Sequence, residues 1–149
     1  MSQPQSARLA AMNLLARREH SAQEMRDKLL VRGFETGEIG PALQALSLEG
    51  LLSDERFTEA FVHSRMQRGS GPVKIQAELR QRGVADTLIQ RYLDERDAAW
   101  LERGNAVRSK KFGNALPADF KERVRQARFL QYRGFTAEQI RRVLRDEEF

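Results

Sequence analysis

An Arg-Gly pair occurs three times at near-constant spacing: Arg32-Gly33, Arg82-Gly83 and Arg133-Gly134, the glycines 50 and 51 residues apart. Self-similarity at such a period marks an array of supersecondary units, so it constrains the fold more than any other feature of the chain. With the copies superposed on the glycine, further columns agree. Leu stands four residues before it (Leu29, Leu79, Leu130), an apolar residue one after (Phe34, Val84, Phe135), Ile six after (Ile39, Ile89, Ile140) and Leu ten after (Leu43, Leu93, Leu144).

The columns have a direct physical reading. A helix carrying Leu on its buried stripe ends at Gly, which takes the left-handed conformation at little steric cost. The apolar residue that follows packs back onto the last turn. After a short polar turn a second helix starts, with Ile and Leu four apart on one face. Asp86 and Thr136 are expected to cap that helix, and Thr36 to do so less firmly because Gly37 follows it. The helix before each glycine opens at Ser21-Ala22-Gln23-Glu24, a capping box, at Gly71-Pro72, with Pro at the first helical position, and near Pro117-Ala118-Asp119.

A further helical stretch precedes each block. It holds Leu9, Met12 and Leu15 in the first copy; in the second it opens at Ser53-Asp54 and carries Phe57, Ala60, Phe61 and His63; in the third it holds Trp100, Leu101, Val107 and Phe112. The expected fold is therefore all-α: three tandem three-helix repeats, over 1–50, 51–97 and 98–149, in an elongated, curved array. One such repeat buries little core alone and gains stability by stacking on its neighbours. No Gly or Pro lies between Asp86 and Arg103, so the last helix of the second copy is free to run into the third. There, Gln126 replaces Met25 and Ile75, and Val124 and Ala127 are expected to take over the apolar stripe.

Composition agrees with this class. Ala, Leu, Arg, Glu and Gln dominate, and apolar residues, 40% of the chain, recur regularly enough that 32% charged residues do not signal disorder. Residues 1–50 and 51–97 are each charge-neutral, so the whole net charge of +5 falls within 98–149. A basic end on a balanced chain suits a polyanionic partner; a solvated surface is the plainer alternative. The absence of Cys excludes disulfides and thiolate metal sites. Met1 to Ala7 is polar and no run approaches a membrane span, so a cytoplasmic chain is expected.

The central repeat carries a more particular string. Gly50-Leu51-Leu52-Ser53-Asp54-Glu55-Arg56-Phe57 is followed by Ala60-Phe61-Val62 and Arg65, then Gly71-Pro72, Lys74-Ile75, Glu78-Leu79 and Arg82-Gly83-Val84. This order resembles the RecX family, the bacterial regulators of the RecA recombinase, and the flanking repeats and the length fit it too. The resemblance implies tandem three-helix repeats. It also implies binding to RecA assembled on single-stranded DNA, along the filament groove, with a block on ATP hydrolysis and strand exchange in recombination and DNA repair. The expected partners are RecA and single-stranded DNA, touched directly or through RecA; no membrane partner and no cofactor are expected, and the chain is expected to be a monomer. The alternative is a stand-alone DNA-binding protein of helix-turn-helix type.

Candidate contact residues are basic. In the third repeat, Lys121, Arg125, Arg128 and Tyr132 share one helix face, Arg141, Arg142 and Arg145 line the last helix, and Lys110-Lys111 ends the preceding one. Arg and Lys beside a Tyr suit phosphate or an acidic protein groove; the alternative is a solubilising face. In the second repeat Arg65, Arg68, Lys74, Arg80 and Arg82 are candidates. Gly69-Ser70-Gly71-Pro72 could offer free N–H groups to an anion, but it lacks the ending of a nucleotide loop and reads better as a plain turn. Phe57, Phe61, Phe112, Phe129 and Trp100 sit at helical spacing and read as core. His20 is expected in an exposed turn and His63 at a helix surface. Neither joins a catalytic motif, so no catalytic or metal-binding residue is assigned.

Overall fold

The computed structural model describes residues 5–145, so part of the polar opening Met1 to Ala7 lies outside them. Nine helices follow one another among these residues, with no strand: α1 (Ala7–Leu15), α2 (Ala22–Val31), α3 (Thr36–Leu48), α4 (Asp54–Gln67), α5 (Pro72–Gln81), α6 (Asp86–Tyr92), α7 (Ala99–Phe112), α8 (Phe120–Arg133) and α9 (Ala137–Val143). None of the described helices is long and apolar enough to cross a membrane.

The three Arg-Gly pairs end α2, α5 and α8 in one way. Gly33, Gly83 and Gly134 take φ of +95°, +77° and +99°. Their N–H groups donate to Leu30, Arg80 and Gln131 O, each at 3.0 Å, and the next N–H (Phe34, Val84, Phe135) donates to Leu29, Leu79 and Leu130 O, each at 3.1 Å. This pair of bonds satisfies carbonyls that a helix end otherwise leaves bare. Leu29, Leu79 and Leu130 are fully buried beneath it. The start signals hold at Ser21, whose capping box with Glu24 forms, at Thr136, which forms one with Gln139, and at Asp119, which accepts from Glu122 N–H at 2.8 Å.

Some expectations are corrected. Thr36 is the first residue of α3 rather than its cap; Glu35 precedes it and makes no side-chain cap bond. Asp86 likewise stands inside α6 and pairs with Arg80 at 2.8 Å. The second repeat does not run into the third. Asp94 Oδ1 accepts from Arg96 N–H at 2.9 Å, Asp97 Oδ1 accepts from Ala99 N–H at 2.9 Å, and Asp94 O accepts from Trp100 Nε1 at 2.8 Å. Aspartate side chains thus break the helix where no Gly or Pro does.

By density of packing the chain gathers into two compact units, one from residues up to Phe61 with Leu79–Ile89, the other from Val62–Glu78 with residues from Gln90 onward. In the first, Ala7, Ala10, Ala11 and Leu14 of α1 pack on Met25 and Leu29 of α2 and on Ile39, Leu43 and Leu46 of α3. Small residues on α1 let the helices approach closely. In the second, Trp100 meets Phe135 edge-on at 6.4 Å, and Leu130, Val143 and Leu144 are buried. Gln126 keeps the buried position of Met25 and Ile75, contrary to expectation, because Arg108 is buried opposite it. Arg108 donates to Gln126 Oε1 at 3.4 Å and to Ala115 O at 3.1 Å, which makes a polar side chain necessary there. Val124 and Ala127 are only half-buried, and with Ile140 and Leu144 they line an open apolar groove.

Each unit contains a joint between the middle helices of successive repeats, made at corresponding residues. In the first, the Ser21 hydroxyl at the start of α2 donates to Arg82 O at the end of α5, at 2.8 Å. In the second, Gly71 N–H at the start of α5 donates to Arg133 O at the end of α8 at 2.7 Å, and Val73 N–H donates to Gly134 O at 2.9 Å. Ser21 and Gly71 both lie twelve residues before their own repeat's glycine. The positive start of one repeat's middle helix therefore meets the negative end of the next repeat's middle helix, a favourable pairing of dipoles.

Candidate nucleic-acid and protein interface

The second joint settles the Gly69-Ser70-Gly71-Pro72 turn: Gly71 N–H and Val73 N–H already serve Arg133 and Gly134 carbonyls, so they hold no anion. What remains available is side-chain charge. The last turn of α7 carries Lys110 and Lys111, where cations complement the helix's negative end. The end of α4 turns at Gly69, with φ of +89°, which brings Arg68 towards α7 and α8. Arg133 donates to Arg68 O at 3.2 Å. The result is a cleft of about 350 Å³ into which Arg68, Arg103, Lys110, Lys111 and Arg133 project, with no carboxylate on its walls. Phe129 lies at its side, with Arg133 5.4 Å and Lys111 5.9 Å from the ring centre. Arg68, Lys110 and Lys111 were legible as candidates; Arg103 and Arg133 were missed, because only packing brings them together.

On the outer face of α8, Lys121 and Arg128 are exposed and have no carboxylate partner among the described residues. Arg125 pairs with Glu122 at 3.1 Å and lies 5.2 Å from the Phe112 ring centre. Tyr132 is 80% exposed, and Lys74 Nζ lies 5.5 Å from its ring centre. On α9, Arg141 edges the apolar groove, Arg142 pairs with Glu138 at 2.9 Å, and Arg145 is exposed beyond the helix end. Arg65 pairs with Glu78 at 2.9 Å, both partly covered. Arg80 and Arg82 belong to the other compact unit, where Arg82 lies 3.6 Å from Glu24 and 4.8 Å from the Phe61 ring centre. The exposed pairs Arg142–Glu138 and Arg80–Asp86 contribute little stability, about 0–1 kcal/mol, so they leave their cations open to exchange partners.

Phe57, Phe61 and Trp100 are buried, as their spacing implies, whereas Phe112 and Phe129 are half-buried and meet edge-on at 5.2 Å. His63 is exposed on α4. His20 is a correction: it is 1% exposed, its Nδ1–H donating to Arg18 O at 3.0 Å and its Nε2 accepting from Lys28 Nζ at 2.8 Å. Burial pushes its pKa down, and burial likewise lowers that of Lys28. Beside them, burial pushes Glu24 up, but hydrogen bonds from Arg18 and Ser21 N–H outweigh it and hold the carboxyl below its ordinary value. No group of three or more His, Cys, Asp or Glu able to hold a metal occurs among the described residues.

Helix order, glycine-ended middle helices and surface cations define a tandem three-helix-repeat protein. Family models match all three modules: the first RecX three-helix domain over residues 7–46, the second over 53–93 and the third over 100–144. The chain belongs to the RecX family. It is 53% identical over 137 residues to the regulatory protein RecX of Halorhodospira halophila, covering 92% of this chain and 85% of that one. It is 45% identical over 141 residues to the regulatory protein RecX of Pseudomonas savastanoi, covering 95% and 91%. The crystal structure of RecX from Lactobacillus salivarius shares the fold, with a TM-score of 0.76 at 19% identity over 94% of this chain and 93% of that one.

Proposed function

We propose that this chain binds RecA assembled on single-stranded DNA and restrains the filament's ATP turnover and strand exchange. Membership of a family of regulatory proteins supports the reading. The observation that carries it is the set of cations on the third repeat: Lys121, Arg125 and Arg128 on α8, with Arg141, Arg142 and Arg145 at α9, all exposed. Such a face suits an acidic groove or phosphates, and spreading contacts over successive protomers favours one filament geometry over those that ATP turnover visits.

The rival is a DNA reader of helix-turn-helix type. It asks the start of a recognition helix to approach the duplex. Here the third helix of every repeat carries an acid in its first turn, Glu38, Asp86 and Glu138, which repels phosphate. The deciding measurement is the ATPase of RecA on single-stranded DNA as this protein is titrated in. Inhibition is expected, and it weakens in Arg125→Glu with Arg128→Glu while helicity and Tm stay near those of the parent. Unchanged ATPase at saturation sinks the proposal. Tight duplex binding without RecA, with a log–log salt slope of roughly −0.9 per phosphate neutralised, favours the rival.

A further inference from the structure

The cleft beside Phe129 has a charge pattern unlike that of the outer faces. Elsewhere many cations have a carboxylate close by, as Arg125 has Glu122, Arg142 has Glu138 and Arg80 has Asp86. Here Arg68, Arg103, Lys110, Lys111 and Arg133 share about 350 Å³ with no acid on the walls. Cations that line one cleft without a carboxylate among them repel one another, and an anion of concentrated charge relieves that repulsion. The other side chains on the walls are Met66, Ala106, Val107 and Phe129, which are apolar, and the uncharged amide of Gln67. Gly69 also lines the cleft, and a Cβ there would lie 3.1 Å from Val107 Cγ2.

We propose that this cleft binds the phosphate chain of a nucleoside di- or triphosphate, with the apolar wall against the base. The volume falls at the lower end of the range for small-molecule sites, roughly 300–1,000 Å³, and matches one nucleotide better than a length of strand. The charge argues the same way. A single strand presents one negative charge per nucleotide, whereas a triphosphate places three or four against five cations at once. Arg133 is fixed by its bond to Arg68 O, and Lys111 and Arg133 stand near the Phe129 ring, so some of the cations are positioned before the ligand arrives. The inference is independent of the recombinase reading.

The test is titration calorimetry of the full chain, without RecA, using ATP, ADP, AMP, inorganic tripolyphosphate and a thymidine oligonucleotide. The expected order is ATP tighter than ADP and ADP tighter than AMP, with tripolyphosphate retaining part of the affinity. Lys110→Glu with Lys111→Glu should weaken ATP by about tenfold or more, and the paired Gln substitutions by less. Arg17→Glu with Arg26→Glu, an equal charge change at exposed positions in the other compact unit, should change ATP affinity little. Arg133 is left intact because it also holds Arg68. Thermal melting of each variant checks the fold. Equal affinity for ATP and AMP, unchanged ATP binding in the Glu pair, or an oligonucleotide that displaces ATP at equal phosphate concentration overturns the proposal. RecA inhibition measured in parallel separates the two ideas: intact inhibition without nucleotide binding removes only the cleft.

Discussion

The two joints place equivalent residues in contact by unlike means. In the first, a side chain reaches across: the Ser21 hydroxyl meets Arg82 O, and Gly83 faces the Gln23 side chain. In the second, main chain meets main chain: Gly71 and Val73 N–H groups bond to Arg133 and Gly134 carbonyls, and Gly134 faces the Lys74 backbone. Gly33 supplies the control. It has the same conformation, yet a Cβ built on it meets nothing within 4 Å. Conformation alone therefore accounts for Gly at the first site, and close approach is added at the other two.

The glycines give the largest way to break this comparison. In Gly134→Val a Cβ would stand 2.7 Å from Lys74 N and nearer still to Lys74 Cβ. Overpacking against backbone adds to the strain of positive φ, so a loss of about 3–5 kcal/mol is expected in urea unfolding. Gly83→Val should lose about 2–4 kcal/mol, because the Gln23 amide, the nearest group, can swing aside although Gln23 Cβ at 2.8 Å cannot. Gly33→Val should lose only about 1–2 kcal/mol from φ strain. Equal losses at all three would show that the joints do not depend on approach.

Next in size is Ser21→Ala, which removes both a helix cap and the bond to Arg82 O and should cost about 1–2 kcal/mol. Hydrogen exchange should report that loss in α2 and in the Leu79–Ile89 segment, and leave α8 as protected as before. Loosening of α8 to the same degree would mean the joints are not separate.

The smallest effect is one of pH. His20 packs beside the first joint, and burial lowers its pKa from the ordinary 6.5. The unfolded chain then binds the proton more readily than the folded one. Stability is full above about 6.5 and declines as pH falls below it towards the folded value. Protonation would also turn Nε2 from an acceptor into a donor facing Lys28 Nζ. The decline should appear in unfolding curves between neutral and mildly acid pH and shrink in His20→Gln. An identical decline in the variant would place its origin elsewhere.

Much of this architecture was legible because it rests on local chemistry. A glycine after a Leu-bearing stretch, a Ser three before a Glu and a Pro after Gly each act within one turn of chain. What escaped notice depends on partners distant in sequence. Nothing near His20 tells of Lys28 closing over it, and Gln126 looks like a defect in an apolar stripe until Arg108 is placed opposite. Asp94 and Asp97 act within their own loop, but their work is usually done by Gly or Pro. The candidate cations were visible as types, yet the meeting of Arg68 with Arg103 and Arg133 needs three helices to fold together. The apolar groove by Ile140 escaped for the converse reason: its column is buried at Ile39 and Ile89, so repetition argued for cover that the third copy lacks.

A seam sewn with peptide groups has no opinion about the side chains on either side of it. Every amino acid but proline brings the same N–H, and all bring the same carbonyl, so mutation can rewrite the modules flanking the second joint while the stitch holds. Heredity has to preserve two absences there, the hydrogens in place of β-carbons at Gly71 and Gly134, and duplicated modules that kept them would arrive already able to dock.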